Sequence, residues 1–185
     1  MEYFDICDEN GTPTGETVSR KTAHEKGICH RTAHVWIVRR HDSHCDLLLQ
    51  KRSLNKDSFP GCLDTSSAGH IPAGDEPSES ALRELKEELG ISAVEADLVP
   101  IGKFHAAYEM VFHDQPFKDN EVVFVYILKK EVEISDITVQ KEELTGMEWH
   151  SLEETEAAVA KDDPAYCVPP LGLACIASYL RQKDC

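Results

Sequence analysis

The sequence is poor in positive charge, in paired-cysteine motifs and in long apolar runs, and each shortage excludes a class of function. Lysine and arginine number 19 against 34 aspartates and glutamates, a net charge of -15. No basic patch or arm offsets this, so no nucleic-acid-binding surface is expected. No stretch is long enough to span a bilayer, and the N-terminus MEYFDICDENG lacks the basic-then-apolar order of a secretory leader. No membrane partner is expected. The seven cysteines, at 7, 29, 45, 62, 167, 175 and 185, are an odd number with no C-x-x-C among them. They indicate neither a disulfide framework nor a zinc knuckle, so reduced thiols and a cytoplasmic location are expected. Internal repeats and low-complexity linkers are also missing. At 185 residues the chain is long enough for one well-buried core and short for two, which predicts a single domain over 1–185.

What the chain does hold is concentrated in GHIPAGDEPSESALRELKEELGI, Gly69 to Ile91. Pro77 suits a first helical turn, the acids before it suit the positive end of the helix dipole, and Gly90 supplies a stop. The predicted helix is therefore Pro77 to Leu89. Ala81, Leu82, Leu85 and Leu89 gather on one side, while Glu84, Glu87 and Glu88 share a separate arc of about 100°. Like charges at this spacing repel by roughly 0.2–0.5 kcal/mol per pair, so the three acids need either solvent or a cation. Hard oxygen donors suit Mg²⁺ or Mn²⁺. Taken alone, such a string is also an ordinary solvated helix face.

The loop before the helix changes that balance. Gly69, Asp75, Arg83-Glu84-Leu85, Glu87-Glu88 and Gly90-Ile91 resemble the Nudix box, G-x5-E-x7-R-E-U-x-E-E-x-G-U with U aliphatic. Eight of nine fixed positions match without a gap. The departure is Asp75, where the family usually has a glutamate that braces the arginine. The resemblance implies an α/β fold, the Nudix α/β/α sandwich with a central mixed sheet. It also implies a Mg²⁺- or Mn²⁺-dependent hydrolase in which Glu84, Glu87 and Glu88 hold metal, possible completion falls to Glu121, and Arg83 holds the helix acids in place. Which glutamate is the base varies within the family. Dimers are common among its members, so a homodimer is left open.

Within that superfamily the segment around His24 and His30, together with Gly69-His70, resembles the type I isopentenyl-diphosphate isomerases. There, matching histidines and downstream acids form a second metal site, which points here to His24, His30 and His70 with Asp119 and Glu121. The residues Lys51-Arg52-Ser53 through Lys56 resemble the same branch. Arg52 offers a planar fork for phosphate oxygens and Lys56 a mobile charge, although basic residues at a strand end also simply solvate the edge. His41 and His44, in a polar turn, are assigned no chemistry.

Residues 3–7, 34–40, 47–52, 99–104, 122–129 and 145–152 read as strands. Residues 17–26 read as a short helix or irregular arm, and 152–161 and 171–181 as helices. Residues 112–120, polar and containing Pro116, read as a substrate-facing loop. Phe59, Tyr108, Phe112 and Phe117 are available for stacking, with none assigned.

The expected reaction is attack of water on a phosphorus of a diphosphate carried by a small-molecule substrate, a nucleoside-diphosphate derivative or other organic diphosphate. Isomerisation of isopentenyl diphosphate is the alternative. It is opposed by Ala68, because the resembling isomerases carry a proton-transferring cysteine at that position and a methyl group cannot replace it. A non-catalytic sensing domain is the third reading, opposed by the intact acids of the box.

Overall fold

Two antiparallel strands, β1 (Tyr3–Cys7) and β2 (Pro13–Ser19), open the computed structural model, which describes residues 2–56 and 58–183. Helix α1 (Arg20–Lys26) follows, capped by the Ser19 hydroxyl on the Thr22 N–H and stopped by Gly27 in the left-handed region. The expected arm at 17–26 is thus the end of a strand and a true helix.

The main sheet is built on β3 (His30–Arg40). On one side β3 pairs in parallel with β8 (Gln115–Leu128), from His30 opposite Glu121 to Ile37 opposite Leu128. On the other side it changes partner along its length. Thr32 to Val35 face β6 (Ser67–His70), and Val38 to Arg40 face β4 (Cys45–Arg52), both antiparallel. Strand β4 in turn carries β5 (Leu63–Asp64) and β9 (Leu144–Ser151), and β7 (Leu98–Phe112) edges β8. The sheet is mixed, as expected.

Strand periodicity divides the core in two. Ala33, Val35 and Ile37 of β3 and Tyr126 and Leu128 of β8 face α2 (Pro77–Leu89), which contributes Ala81, Leu85 and Leu89. Trp36, with Val123, Val125 and Ile127, faces the opposite layer of α3 (Leu152–Val159) and α4 (Pro170–Arg181). Helices on both faces make the α/β/α sandwich. Helix α2 has the predicted bounds, with Pro77 in its first turn and Gly90 at φ 71°. Among the described residues no helix is long and apolar enough to cross a membrane. Cys7, Cys29, Cys62, Cys167 and Cys175 are free thiols, whereas Cys45 is disulfide-bonded, which corrects the expectation that every thiol is reduced.

The second correction concerns 112–120. These residues form no loop; they lie in a long β7–β8 hairpin closed by His113 and Asp114, both at positive φ, 51° and 60°. Since β3 begins only opposite Glu121, β8 before that point is a two-stranded ribbon with one free edge, and Pro116 is tolerated there. Positive φ at both central positions is the geometry of a tight two-residue hairpin turn, which favours glycine at the second place. Asp114→Gly is expected to raise stability by a few tenths to about 1 kcal/mol, and Asp114→Val to lower it by about 1–3 kcal/mol, read by denaturant unfolding.

Candidate active site

The polar arc of α2 is pressed against β6. A Cβ built on Gly69 would lie 2.2 Å from the Glu84 side-chain carboxyl carbon, so the carboxylate reaches the strand only because that position has no side chain. One turn on, Glu88 is 5% exposed, its Oε2 accepting from the Ser67 hydroxyl at 2.8 Å and the Ala68 N–H at 3.4 Å. Glu87 is the outermost of the three. Arg83 ties them together, 2.7 Å from Glu84 Oε1 and 2.9 Å from Glu87 Oε2, and donates to the His70 carbonyl at 3.1 Å. Among the described residues Arg83 has no ion pair with Asp75, whose backbone carbonyl instead accepts from Arg31 at 3.0 Å. Bracing of the arginine thus comes from the helix itself.

Burial pushes the Glu84 carboxyl above its ordinary range, and burial together with the neighbouring charge of Glu84 pushes Glu88 to about 8. Both acids hold protons more readily than free carboxylates, as desolvated groups awaiting a cation do.

The first residues of β3 supply a second cluster. His30 is fully buried, and its Nδ1–H donates to the Ile28 carbonyl at 2.8 Å; its Nε2 faces Glu121 Oε1 at 3.5 Å, and although burial alone would lower it, that carboxylate raises it above its ordinary value. His70 Nε2 lies 3.4 Å from the same oxygen and 3.2 Å from His24 Nε2. His24 Nδ1 lies 3.7 Å from Asp119, and the Thr32 hydroxyl donates to Glu121 Oε2 at 3.1 Å. Donor atoms of His24, His30 and His70 lie within 4.8 Å of one another, as do those of His30, Asp119 and Glu121. Burial lowers His24, to about 3, and His70, so both keep a free lone pair. Burial alone would raise Glu121, yet the His30 and His70 imidazoles beside it hold it well below the usual range. Burial and Glu121 raise Asp119 to about 7.

The acids of α2 line one cavity of about 1330 Å³ together with His24, His70, Asp119 and Glu121 of this cluster. Arg52 and Lys56 line it too, but both are engaged. The Arg52 guanidinium donates to Asp64 at 3.1 Å and to the Ser58 carbonyl at 2.9 Å, and the Lys56 ammonium pairs with Glu143. Sequence reasoning missed this tether, because Asp64 and Glu143 carry no local signal. It also left the aromatics unassigned. Phe59, Tyr108, Phe112 and Phe117 form one wall of the cavity, with ring centroids 4.9 Å apart for Phe59 and Phe112 and 5.7 Å for Phe112 and Phe117. Phe59 holds φ 46°, an uncommon conformation for a bulky residue. His34, opposite Ala68 in the β3–β6 register, adds a buried imidazole whose Nδ1 has no partner.

The family model of the NUDIX domain matches residues 29–169. The chain belongs to the Nudix family. It is 40% identical over 167 residues to Nudix hydrolase 3 of Arabidopsis thaliana, an overlap of 89% of this chain and 21% of that protein. The chain therefore spans about a fifth of the length of that relative. It is 42% identical over 146 residues to an uncharacterized Nudix hydrolase of Clostridium acetobutylicum, covering 79% of this chain and 68% of the other. Both of these relatives are Nudix hydrolases by name, and each overlaps most of this chain. A crystal structure of a Deinococcus radiodurans protein has a similar fold, with a TM-score of 0.70 at 21% identity over 96% of this chain and 99% of that one. The Ap4A hydrolase of C. elegans in a binary complex is similar in fold at a TM-score of 0.52 and 20% identity, over 82% and 98% of the two chains.

Nudix hydrolases use divalent metal ions, and the donor set fits one. Buried carboxylates crowd at Glu84 and Glu88, and the buried His24 Nδ1 and His30 Nε2 have no hydrogen-bond partner. Two outcomes follow from this geometry. Gly69→Ala is expected to displace the Glu84 carboxylate and weaken Mn²⁺ binding by about 10–100-fold, with little change in thermal stability. The ordinary Glu88 value is near 4.5, and the folded value is raised to about 8. Its contribution to stability is therefore complete at acid pH and is lost as pH rises through 8. Metal-free protein should lose melting temperature as pH rises from about 4.5 to 8 and level off above that, Glu88→Gln should lose less, and added Mg²⁺ should oppose the loss.

Proposed function

We propose that this domain hydrolyses a diphosphate linkage in a nucleoside-diphosphate derivative or other organic diphosphate, with Mg²⁺ or Mn²⁺ as its cofactor. The observation that carries this reading is the presence, in one cavity, of the desolvated acids of α2, the Glu121 cluster and a wall of aromatic rings. Glu84, Glu87 and Glu88 would hold metal, with Glu121 completing the set, and His24, His30, His70 and Asp119 would hold a second ion. When bound, such an ion neutralises phosphate oxygens and lowers the pKa of the attacking water.

The chain's own residues do the positioning. Arg83 fixes Glu84 and Glu87 by its two ion pairs, and Ser67 orients Glu88. Lys56 meets a phosphate oxygen by leaving Glu143, a mobile charge exchanging one anion for another. Arg52, held by Asp64 and Ser58, contributes its charge from a fixed place on the wall. Phe59, Phe112 and Phe117 stack or pack on the organic group beyond the diphosphate. The water oxygen bonds to phosphorus as its proton passes to one of the site's carboxylates, the bridging P–O bond breaks, and the leaving phosphate departs with that bond's electron pair.

Isomerisation is disfavoured by Ala68, whose methyl sits beside Gly69 and has no proton to transfer. Phosphorus NMR of the protein with Mg²⁺ and a panel of isopentenyl diphosphate, a nucleoside triphosphate, ADP-ribose and a dinucleoside polyphosphate tests the reading. New phosphate or monophosphate signals are expected, abolished by chelation and by Glu88→Gln. An unchanged diphosphate with a shifted allylic pattern would establish isomerisation instead.

A further inference from the structure

The turn joining β3 to β4 holds His41 and His44, with Asp46 two residues further on β4. His41 Nε2 lies 2.9 Å from Asp46 Oδ2, and His44 Nε2 lies 3.6 Å from Asp46 Oδ1. The two imidazoles stack, with centroids 4.3 Å apart and planes 11° apart, and the three donor atoms lie within 4.8 Å of one another. We propose that His41, His44 and Asp46 form a surface binding site for a divalent transition metal of the Zn²⁺ class.

Three observations carry the assignment. The first is rigidity of the backbone beneath the donors. The His41 N–H donates to the His44 carbonyl at 2.9 Å, and pairing with Arg39 across the β3–β4 ladder sets the backbone of Asp46. The second is spacing. Ligand bonds of about 2.0–2.2 Å at tetrahedral angles place donor atoms roughly 3.2–3.6 Å apart; the His44–Asp46 separation of 3.6 Å is at the upper end, and the His41–Asp46 separation of 2.9 Å is a hydrogen-bond distance that a bound ion would widen by a few tenths of an ångström. The third is convergence. A simple ion pair needs one imidazole, yet here a second ring is stacked on the first with its nitrogen on the other carboxylate oxygen. One shared cation accounts for both rings. The side chains are 39% and 42% exposed, so they can close on an ion by small rotations and leave a coordination position to water.

Donor chemistry separates this site from the acids of α2, and position separates it from the imidazoles of His24, His30 and His70. Imidazole nitrogen suits Zn²⁺, Ni²⁺ or Cu²⁺, whereas the acids of α2 suit Mg²⁺ or Mn²⁺. Place separates them too. Strand β3 runs eleven residues from His30, beside Glu121 of the cavity, to Arg40, next to the turn, about 33 Å of extended chain. None of His41, His44 and Asp46 lines the cavity.

The test is equilibrium dialysis of the intact chain against Zn²⁺ with excess Mg²⁺ present, comparing wild type, His41→Ala/His44→Ala and Asp46→Asn. Wild type is expected to bind one more equivalent of zinc than the double variant, and Asp46→Asn to hold that equivalent at least tenfold more weakly. Paramagnetic Ni²⁺ should erase the amide resonances of residues 41–46 in wild type and spare them in the double variant. Equal zinc stoichiometry in wild type and the double variant, or no local loss of resonances with Ni²⁺, would overturn the proposal and leave only surface ion pairs. The turn is exposed, so the double variant is expected to keep the wild-type melting temperature in the absence of metal.

Discussion

A carboxylate lying against bare backbone is the contact on which the site depends. Glu84 reaches β6 only because Gly69 has no Cβ. The same docking buries Ala81, Leu85 and Leu89 on the inner side of the helix. Apolar burial worth roughly 1.5–3 kcal/mol for each large side chain thus holds three acids where they would not otherwise sit together. What the core contributes in stability offsets the desolvation of Glu84 and Glu88. Removing the apolar side would free the acids to swing into solvent, where they would behave as an ordinary charged helix face.

Strand β3 links the site to the rest of the sheet. Its alternate residues His30, Thr32 and His34 share one face, and Trp36 continues that face into the core beneath α4. Its change of partner from β6 to β4 opens the sheet at the level where the acids of α2 approach. The parallel pairing with β8 then sets Glu121 directly opposite His30. Sequence separation between these residues is large, yet one register places them. A slip of one residue would turn Glu121 to the other face and break the cluster.

What could be read from sequence follows the range of the signals. Helix α2 was legible to the residue because its start, stop and period are local: Pro77, Gly90 and the spacing of its leucines. The metal-binding character of its acids was legible as a pattern, and His24, His30 and His70 as a resemblance that the structure brings into one cluster. The β7–β8 ribbon was not legible. Beyond the start of β3 both its faces are wet, so no apolar alternation marks it, and Pro116 reads as a loop unless the missing neighbour is known. The early start of β3 was hidden for the opposite reason: His30 is a polar residue buried against Glu121, and Thr32 is turned into the cavity. The partners of Arg52 and Lys56 were invisible because Asp64 and Glu143 meet them only through the fold.

The charge of the molecule explains why the cavity is built from groups that resist ionisation. A chain of net charge -15 repels a polyphosphate at long range, and screening over about 8–10 Å leaves the local balance to decide binding. Burial raises Glu84, Glu88 and Asp119 toward the protonated state, and keeps His24 and His70 neutral with lone pairs available. The site therefore presents many donors with less negative charge than its residue count suggests. A cation and protons compete for the same oxygens, so binding metal releases protons and restores the carboxylate charge only where the cation offsets it. The substrate then meets a neutralised surface, with Lys56 and Arg52 already in the cavity wall, inside a protein whose outside is strongly acidic.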